Sequence, residues 1–188
     1  MKKIKLLAVA AALMVSGAVS AQFSNTGRKS SGSGNYDGES GYRGFVEAGY
    51  TLGTGDNSAD RIALFTSHGY QMNPYVFVGA GAGVNYYYDG EMWSVPIFAD
   101  ARGTLPLDGS FTPFLDIKIG YSAVDVSGFY FAPSVGCKYG KFTFSIGYEL
   151  QNIGEQTVSV YVPGYGTTSY KNDGGSAGGF AFRVGLEF

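Results

Sequence analysis

Gly179-Phe180-Ala181-Phe182-Arg183-Val184-Gly185-Leu186-Glu187-Phe188 is the stretch that decides how the rest of the chain reads. Side chains of a β-strand alternate between two faces, so a period of two puts Phe180, Phe182, Val184, Leu186 and Phe188 on one side. Ala181, Arg183, Gly185 and Glu187 fall on the other. One face is hydrocarbon and the other carries charge. A soluble sheet also alternates, with its apolar face on a core, so the question is whether the pattern recurs and what punctuates it.

It recurs from Gly41 onward. Tyr42–Leu52 sends Tyr42, Val46, Ala48, Tyr50 and Leu52 to one face, with Arg43, Phe45, Glu47 and Thr51 opposite. Arg61–Tyr70 presents Ile62, Leu64, Thr66, His68 and Tyr70; Tyr75–Tyr88 presents Val76, Val78, Ala80, Ala82, Val84, Tyr86 and Tyr88, with Gly79, Gly81 and Gly83 behind. Trp93–Leu105, Phe111–Ala123, Phe129–Tyr139 and Phe142–Leu150 follow the same rule. With the closing stretch these make eight segments. Each is close to the ~9–11 residues a tilted strand needs to cross hydrocarbon, and bacterial single-chain barrels have an even strand number. Pro96 and Pro133 fall inside segments, where each removes a ladder donor, so a bulge or strand end is expected at both.

The connections are of two kinds. Tight turns follow the even segments, at Gln71-Met72-Asn73-Pro74, Leu107-Asp108-Gly109-Ser110 and Gly140; after the odd segments come Gly53–Asp60, Asp89-Gly90-Glu91, Asp125–Gly128 and an excursion from Asn152 to Gly178, the second and third of them short. Within that excursion, Thr157–Val162 and Thr167–Lys171 flank Pro163-Gly164-Tyr165-Gly166 as a hairpin would. Counting them as wall strands gives a ten-stranded rival. Aromatics also sort by height. Tyr50, Tyr86, Tyr88, Trp93, Tyr121, Phe129 and Tyr148 lie toward the long connections, and Tyr42, Tyr70, Phe111, Tyr139, Phe142 and Phe188 toward the turns. Two such girdles belong at two membrane interfaces. The expectation is an all-β, antiparallel up-and-down transmembrane barrel over residues 41–188, with its turns in the periplasm.

Residues 1–21 read as a cleaved secretory signal peptide, with Lys2, Lys3 and Lys5 before the apolar run Leu6–Val15 and small residues at Val19-Ser20-Ala21. Residues 22–40 are small and polar and read as a flexible periplasmic linker. Aromatics make up 16% of the chain and charged residues only 15%, whereas soluble domains carry about 25% charged residues. Setting the leader lysines aside, ten basic residues face fifteen acidic ones, which excludes an electrostatic case for nucleic acid. One cysteine, Cys137, leaves no internal disulfide, and no cofactor motif is present.

The ionised residues of the second face come from nearly every segment and almost cancel: Arg43, Arg61, Arg102, Lys118, Lys138 and Arg183 against Glu47, Asp100, Asp116, Glu149 and Glu187. An eight-stranded barrel is just wide enough to be filled by side chains, so these groups are expected to meet and pair, plugging the interior. The alternative is a narrow porin-like channel for ions or small solutes, with Gly79, Gly81 and Gly83 leaving the gap.

The signal peptide, the alternating segments, the inward charges and the closing Phe180-Ala181-Phe182-Arg183-Val184-Gly185-Leu186-Glu187-Phe188 together resemble the small outer-membrane barrels of the OmpA transmembrane-domain and OmpX kind. The resemblance implies residence in the outer membrane of a Gram-negative bacterium, in contact with its lipid. It also implies a terminal strand (Phe180, Phe182, Leu186, Phe188) read by the barrel assembly machinery, and a role in envelope integrity or in surface interaction. The periplasmic peptidoglycan-binding domain of full-length OmpA proteins is not expected here. Some barrels of this size are lipid-modifying enzymes that use a His with Asp and Ser near the outer rim. Here the only histidine, His68, lies toward the turns on the lipid face, and Ser67 points the other way, so no nucleophile–base pair is expected. Tyr161, Tyr165 and Tyr170, among hydroxyl residues and Lys171, form a loop composition suited to contact with an extracellular protein or glycan. A soluble periplasmic β-domain is the remaining alternative.

Overall fold

A computed structural model describes residues 40–55, 59–107, 109–153, 156–162, 166–172 and 175–188. Residues 1–39, on which the expected signal peptide and most of the expected linker fall, lie outside them, as does Tyr165. Ten strands follow in order: β1 (Gly41–Thr54), β2 (Arg61–Asn73), β3 (Val76–Tyr87), β4 (Met92–Thr104), β5 (Phe111–Val124), β6 (Gly128–Tyr139), β7 (Phe142–Ile153), β8 (Gln156–Val162), β9 (Gly166–Asn172) and β10 (Gly175–Glu187).

Eight of them close a barrel in the order β1-β10-β7-β6-β5-β4-β3-β2, each antiparallel to its neighbours. Closure leaves no unpaired wall edge, which is the only way a sheet satisfies its backbone in hydrocarbon. β8 and β9 pair only with each other, in register from Gln156↔Asn172 to Val162↔Gly166, so the hairpin is a separate ribbon and the ten-stranded rival falls.

The two faces separate as the period of two requires. Exposed side chains on β10 are Phe180, Phe182, Val184 and Leu186, while Ala181 and Arg183 are buried. Around the wall Ile97, Leu115, Ile119, Val135, Phe144 and Ile146 continue the apolar belt, and Tyr42, Tyr70, Phe111, Tyr139 and Phe142 stand exposed at the turn end.

The turns explain the short connections. Asn73 Oδ1 accepts from the amides of Tyr75 and Val76 at 2.9 Å, tightening the β2–β3 corner, and the β6–β7 turn is Gly140-Lys141 with Gly140 at φ +59°. The prolines correct the expectation. β4 and β6 run straight through Pro96 and Pro133, with no bulge and no strand end. On one side the ladder lapses, between Ala82↔Ile97 and Asn85↔Ser94 and between Phe131↔Leu150 and Ser134↔Gly147, and it resumes in the same register. On the other side Pro96↔Ser122 and Ile117↔Pro133 stay aligned. Each proline thus costs local hydrogen bonds to one neighbour without shifting a strand.

Candidate functional site: the barrel interior

The inward residues of the eight wall strands meet inside the barrel, where the ionised groups among the described residues fall into three clusters. Nearest the long connections, Glu149 of β7 takes Arg61 of β2 (Nε–Oε1 3.0 Å) and Arg183 of β10 (Nη2–Oε2 2.8 Å), all three buried. At mid-height Arg102 of β4 bridges Glu47 (2.9 Å) and Asp116 (3.2 Å), and Lys118 of β5 reaches Glu47 (3.0 Å), Asp116 and, less closely, Asp100 (3.7 Å). At the turn end Glu187 takes both Arg43 and Lys138 (3.1 Å). Removing such ions from water costs several kcal/mol each, and the low-dielectric attraction of two or three opposite charges is what offsets it.

Aromatic rings pack among the clusters. Phe65, Phe98 and Tyr130 pack together with Ala63 and Ala132, their ring centroids 5.8–6.3 Å apart. Guanidinium groups lie on ring faces: Arg102 is 3.9 Å from the Phe45 centroid and 4.4 Å from that of Phe114, and Arg183 is 5.0 Å from that of Phe65. These contacts add to each arginine's ion pairs.

The glycines of β3 make room for these rings. A Cβ at Gly83 would stand 2.0 Å from Phe65 Cδ1, one at Gly81 2.6 Å from Phe98 Cε2, and one at Gly79 2.8 Å from Phe77 Cζ. The space the channel alternative assigns to Gly79, Gly81 and Gly83 is occupied by aromatic side chains.

A polar layer lies beneath the long connections. Tyr87 donates to Gln151 Oε1 (2.9 Å), Asn85 donates to Ser94, and Gln151 Nε2 donates to the carbonyl of Val126 (2.8 Å). Val126, in the β5–β6 connection, is 3% exposed and folds over the end of the barrel. Alternation does not single out this residue; its signal is one apolar side chain in the otherwise polar Asp125-Val126-Ser127.

All eleven inward charges named from the sequence lie on the inner face, each in at least one ion pair, though in three clusters rather than one network. Phe180, Phe182 and Leu186 lie on the outer face beside Phe188. Tyr161 and Tyr170 occupy β8 and β9.

His68 lies on the outer face with its nitrogens toward Tyr42 OH and Thr66 Oγ1 (2.9 Å to Nε2). Ser67 does point inward. The hydroxyl that His68 meets is two residues back on its own face, a parity the comparison with Ser67 alone overlooks. At the other end Asp60 accepts from Tyr50 OH (2.7 Å) and the Gly53 amide (3.0 Å), which hold its carboxyl below the usual value.

No protein-family model matches the chain, and no curated protein sequence does. Among solved structures it is similar to Neisserial surface protein A, NspA, at 14% identity over 80% of this chain and 99% of that one, with a TM-score of 0.53. The N-terminal β-barrel domain of Pseudomonas aeruginosa OprF aligns at 15% identity over 78% and 97% of the two chains, with a TM-score of 0.45. A de novo designed transmembrane β-barrel aligns at 11% over 78% and 94%, with a TM-score of 0.43. At these identities the likeness concerns the fold. The closed wall is that of a small eight-stranded antiparallel barrel, the fold that the OmpA and OmpX resemblance implies, and NspA is similar to it at that level.

Proposed function

We propose that this chain is a non-enzymatic integral outer-membrane protein with a plugged interior, serving envelope integrity or surface interaction through its long connections. The observation that carries the reading is the interior itself. Its eleven ionised side chains are each in an ion pair, and rings fill the space above the β3 glycines. A continuous apolar exterior between two aromatic girdles supports lipid as its solvent. In this reading residues 1–21 direct export, the turn end faces the periplasm, and the β8–β9 ribbon projects outside the cell.

Planar-bilayer recording with purified, refolded protein tests the plug. The expected record is a quiet bilayer at moderate voltage; steady ion-sized openings would overturn the plug and favour a narrow channel. Deleting residues 158–170 tests the surface role. Loss of adhesion to a protein- or glycan-coated surface, with the barrel still folded, supports interaction. Unchanged adhesion leaves envelope integrity as the role.

A further inference from the structure

The seam between β1 and β10 joins segments far apart in sequence, and its lower end is closed by an aromatic ring seated on a glycine. Gly44 and Phe188 exchange both backbone hydrogen bonds, Gly44 N to Phe188 O at 2.8 Å and Phe188 N to Gly44 O at 2.9 Å. The Phe188 ring lies across the outer side of Gly44, where a Cβ would stand 2.5 Å from its Cε2 and 2.6 Å from its Cζ. It reaches His68 on β2, the residue opposite Gly44, at 5.9 Å between centroids in an edge-to-face arrangement. His68 is held in turn by stacking on Tyr42, by Tyr42 OH and by Thr66 Oγ1. One ring thus spans three strands.

Gly44 is also the one outward position on β1 without a side chain; the others are Tyr42, Val46, Ala48, Tyr50, Leu52 and Thr54. A slip of one residue would turn every β10 side chain to the wrong face, which burial already forbids. A slip of two keeps the faces correct, so burial discriminates against it far less. It would, however, set the Phe188 ring over Val46 or Tyr42, where a Cβ and its substituents occupy the notch. We infer that Gly44 and His68 form an intramolecular receptor for Phe188, which selects the two-residue register when the barrel closes. Phe188 thereby acts within the folded wall, independently of any machinery that reads it beforehand.

The test is refolding from urea into short-chain phosphatidylcholine vesicles without assembly factors, in a Cys137→Ser background. Ala48→Cys with Val184→Cys reports the native register, in which the two positions are opposite. Ala48→Cys with Phe182→Cys, or with Leu186→Cys, reports slips of two. The unaltered seam is expected to cross-link only at 48–184. Gly44→Val should slow formation of the heat-modifiable closed form about tenfold, near the upper end of what one aromatic contact contributes, and should bring up a slipped cross-link. Phe188→Ala should do the same. The swap Gly44→Phe with Phe188→Gly puts the ring back from the opposite strand and should restore the single native cross-link, so a folding failure of Gly44→Val alone does not blunt the test. Native-only cross-linking at the unaltered rate in Gly44→Val, or a swap no better than the single variants, would overturn the inference.

Discussion

Glu149→Gln isolates the energetics of the interior in one atom. Glu149 is wholly buried, and its two oxygens are divided between Arg61 at 3.0 Å and Arg183 at 2.8 Å. Glutamine keeps the volume and one acceptor oxygen. It removes the only carboxylate in this cluster and leaves two buried guanidinium groups facing a neutral amide. Their other neighbours are weaker partners: Arg61 lies over the Tyr87 ring at 5.2 Å, and Arg183 lies over the Phe65 ring at 5.0 Å, with Tyr130 Oη 3.4 Å from its Nη2 and the Glu47 carboxylate farther off. Breaking a buried pair from one side costs about 3–5 kcal/mol. At ~1.4 kcal/mol per tenfold, that lowers the folded-to-unfolded ratio by about two to four orders of magnitude. The assay is reversible urea unfolding in vesicles, followed through the single tryptophan, Trp93, which sits half-buried in the girdle at the long connections. The triple variant Glu149→Leu, Arg61→Met, Arg183→Met is the control, because replacing all three members with apolar groups removes the uncompensated charge and should recover most of the loss. A Glu149→Gln loss under about 1 kcal/mol would refute the view that the ion pair holds this cluster together.

Further outcomes follow from the same geometry. In the mid-height cluster three carboxylates face two cations, and Asp100 stands 3.7 Å from Lys118, whereas Asp116 holds both Arg102 and Lys118 closely. Asp100→Asn should therefore change urea stability by under about 1 kcal/mol or raise it, while Asp116→Asn should cost about 3–5 kcal/mol; equal losses would sink the distinction. Gly83→Val drives a side chain into Phe65 from 2.0 Å and should destabilise by about 1–3 kcal/mol or more, and Phe65→Ala in the same chain should recover part of it. Asp60 carries a lowered folded value, so what it contributes to ordering the β1–β2 connection is complete above its usual value of 3.8 and disappears as pH falls below it. Protection of the Gly53 amide from exchange should follow that course, and Asp60→Asn should abolish the dependence.

Much of the wall was legible because alternation is a local property. Eight segments, their faces and their short turns follow from reading two residues at a time, and the strands begin and end within a few residues of those bounds. What alternation does not carry is depth. It says that Glu149, Arg61 and Arg183 face inward; that they meet depends on the stagger of β7, β10 and β2 around the barrel. The same applies to the inward glycines. Gly83 reads as a gap until Phe65, its partner across the β2–β3 ladder, is seen lying over it. Pro96 and Pro133 went the other way, because a missing amide disturbs only the neighbour it would have faced, and the second neighbour kept each strand aligned.

These layers bear on how such an interior would ever conduct. If ion pairs alone closed it, exchanging Arg183 from Glu149 to another carboxylate would open a path, since long cations swing on flexible stems. The rings do not share that freedom. Phe65, Phe98 and Tyr130 pack against one another beside the Glu149 and mid-height clusters, and Phe65 and Phe98 are seated against glycine backbone at Gly83 and Gly81, their direct partners on β3. Moving any of them requires a neighbouring ring to move first, because their centroids are about 6 Å apart and the packing leaves little slack. Charge-neutralising variants should therefore lower stability without raising conductance, and Phe65→Ala with Phe98→Ala should raise conductance even with every ion pair intact. Bilayer recordings of the two sets separate the cases: currents from Glu149→Gln and silence from the double alanine variant would mean that charge, and not the aromatic layer, closes the barrel.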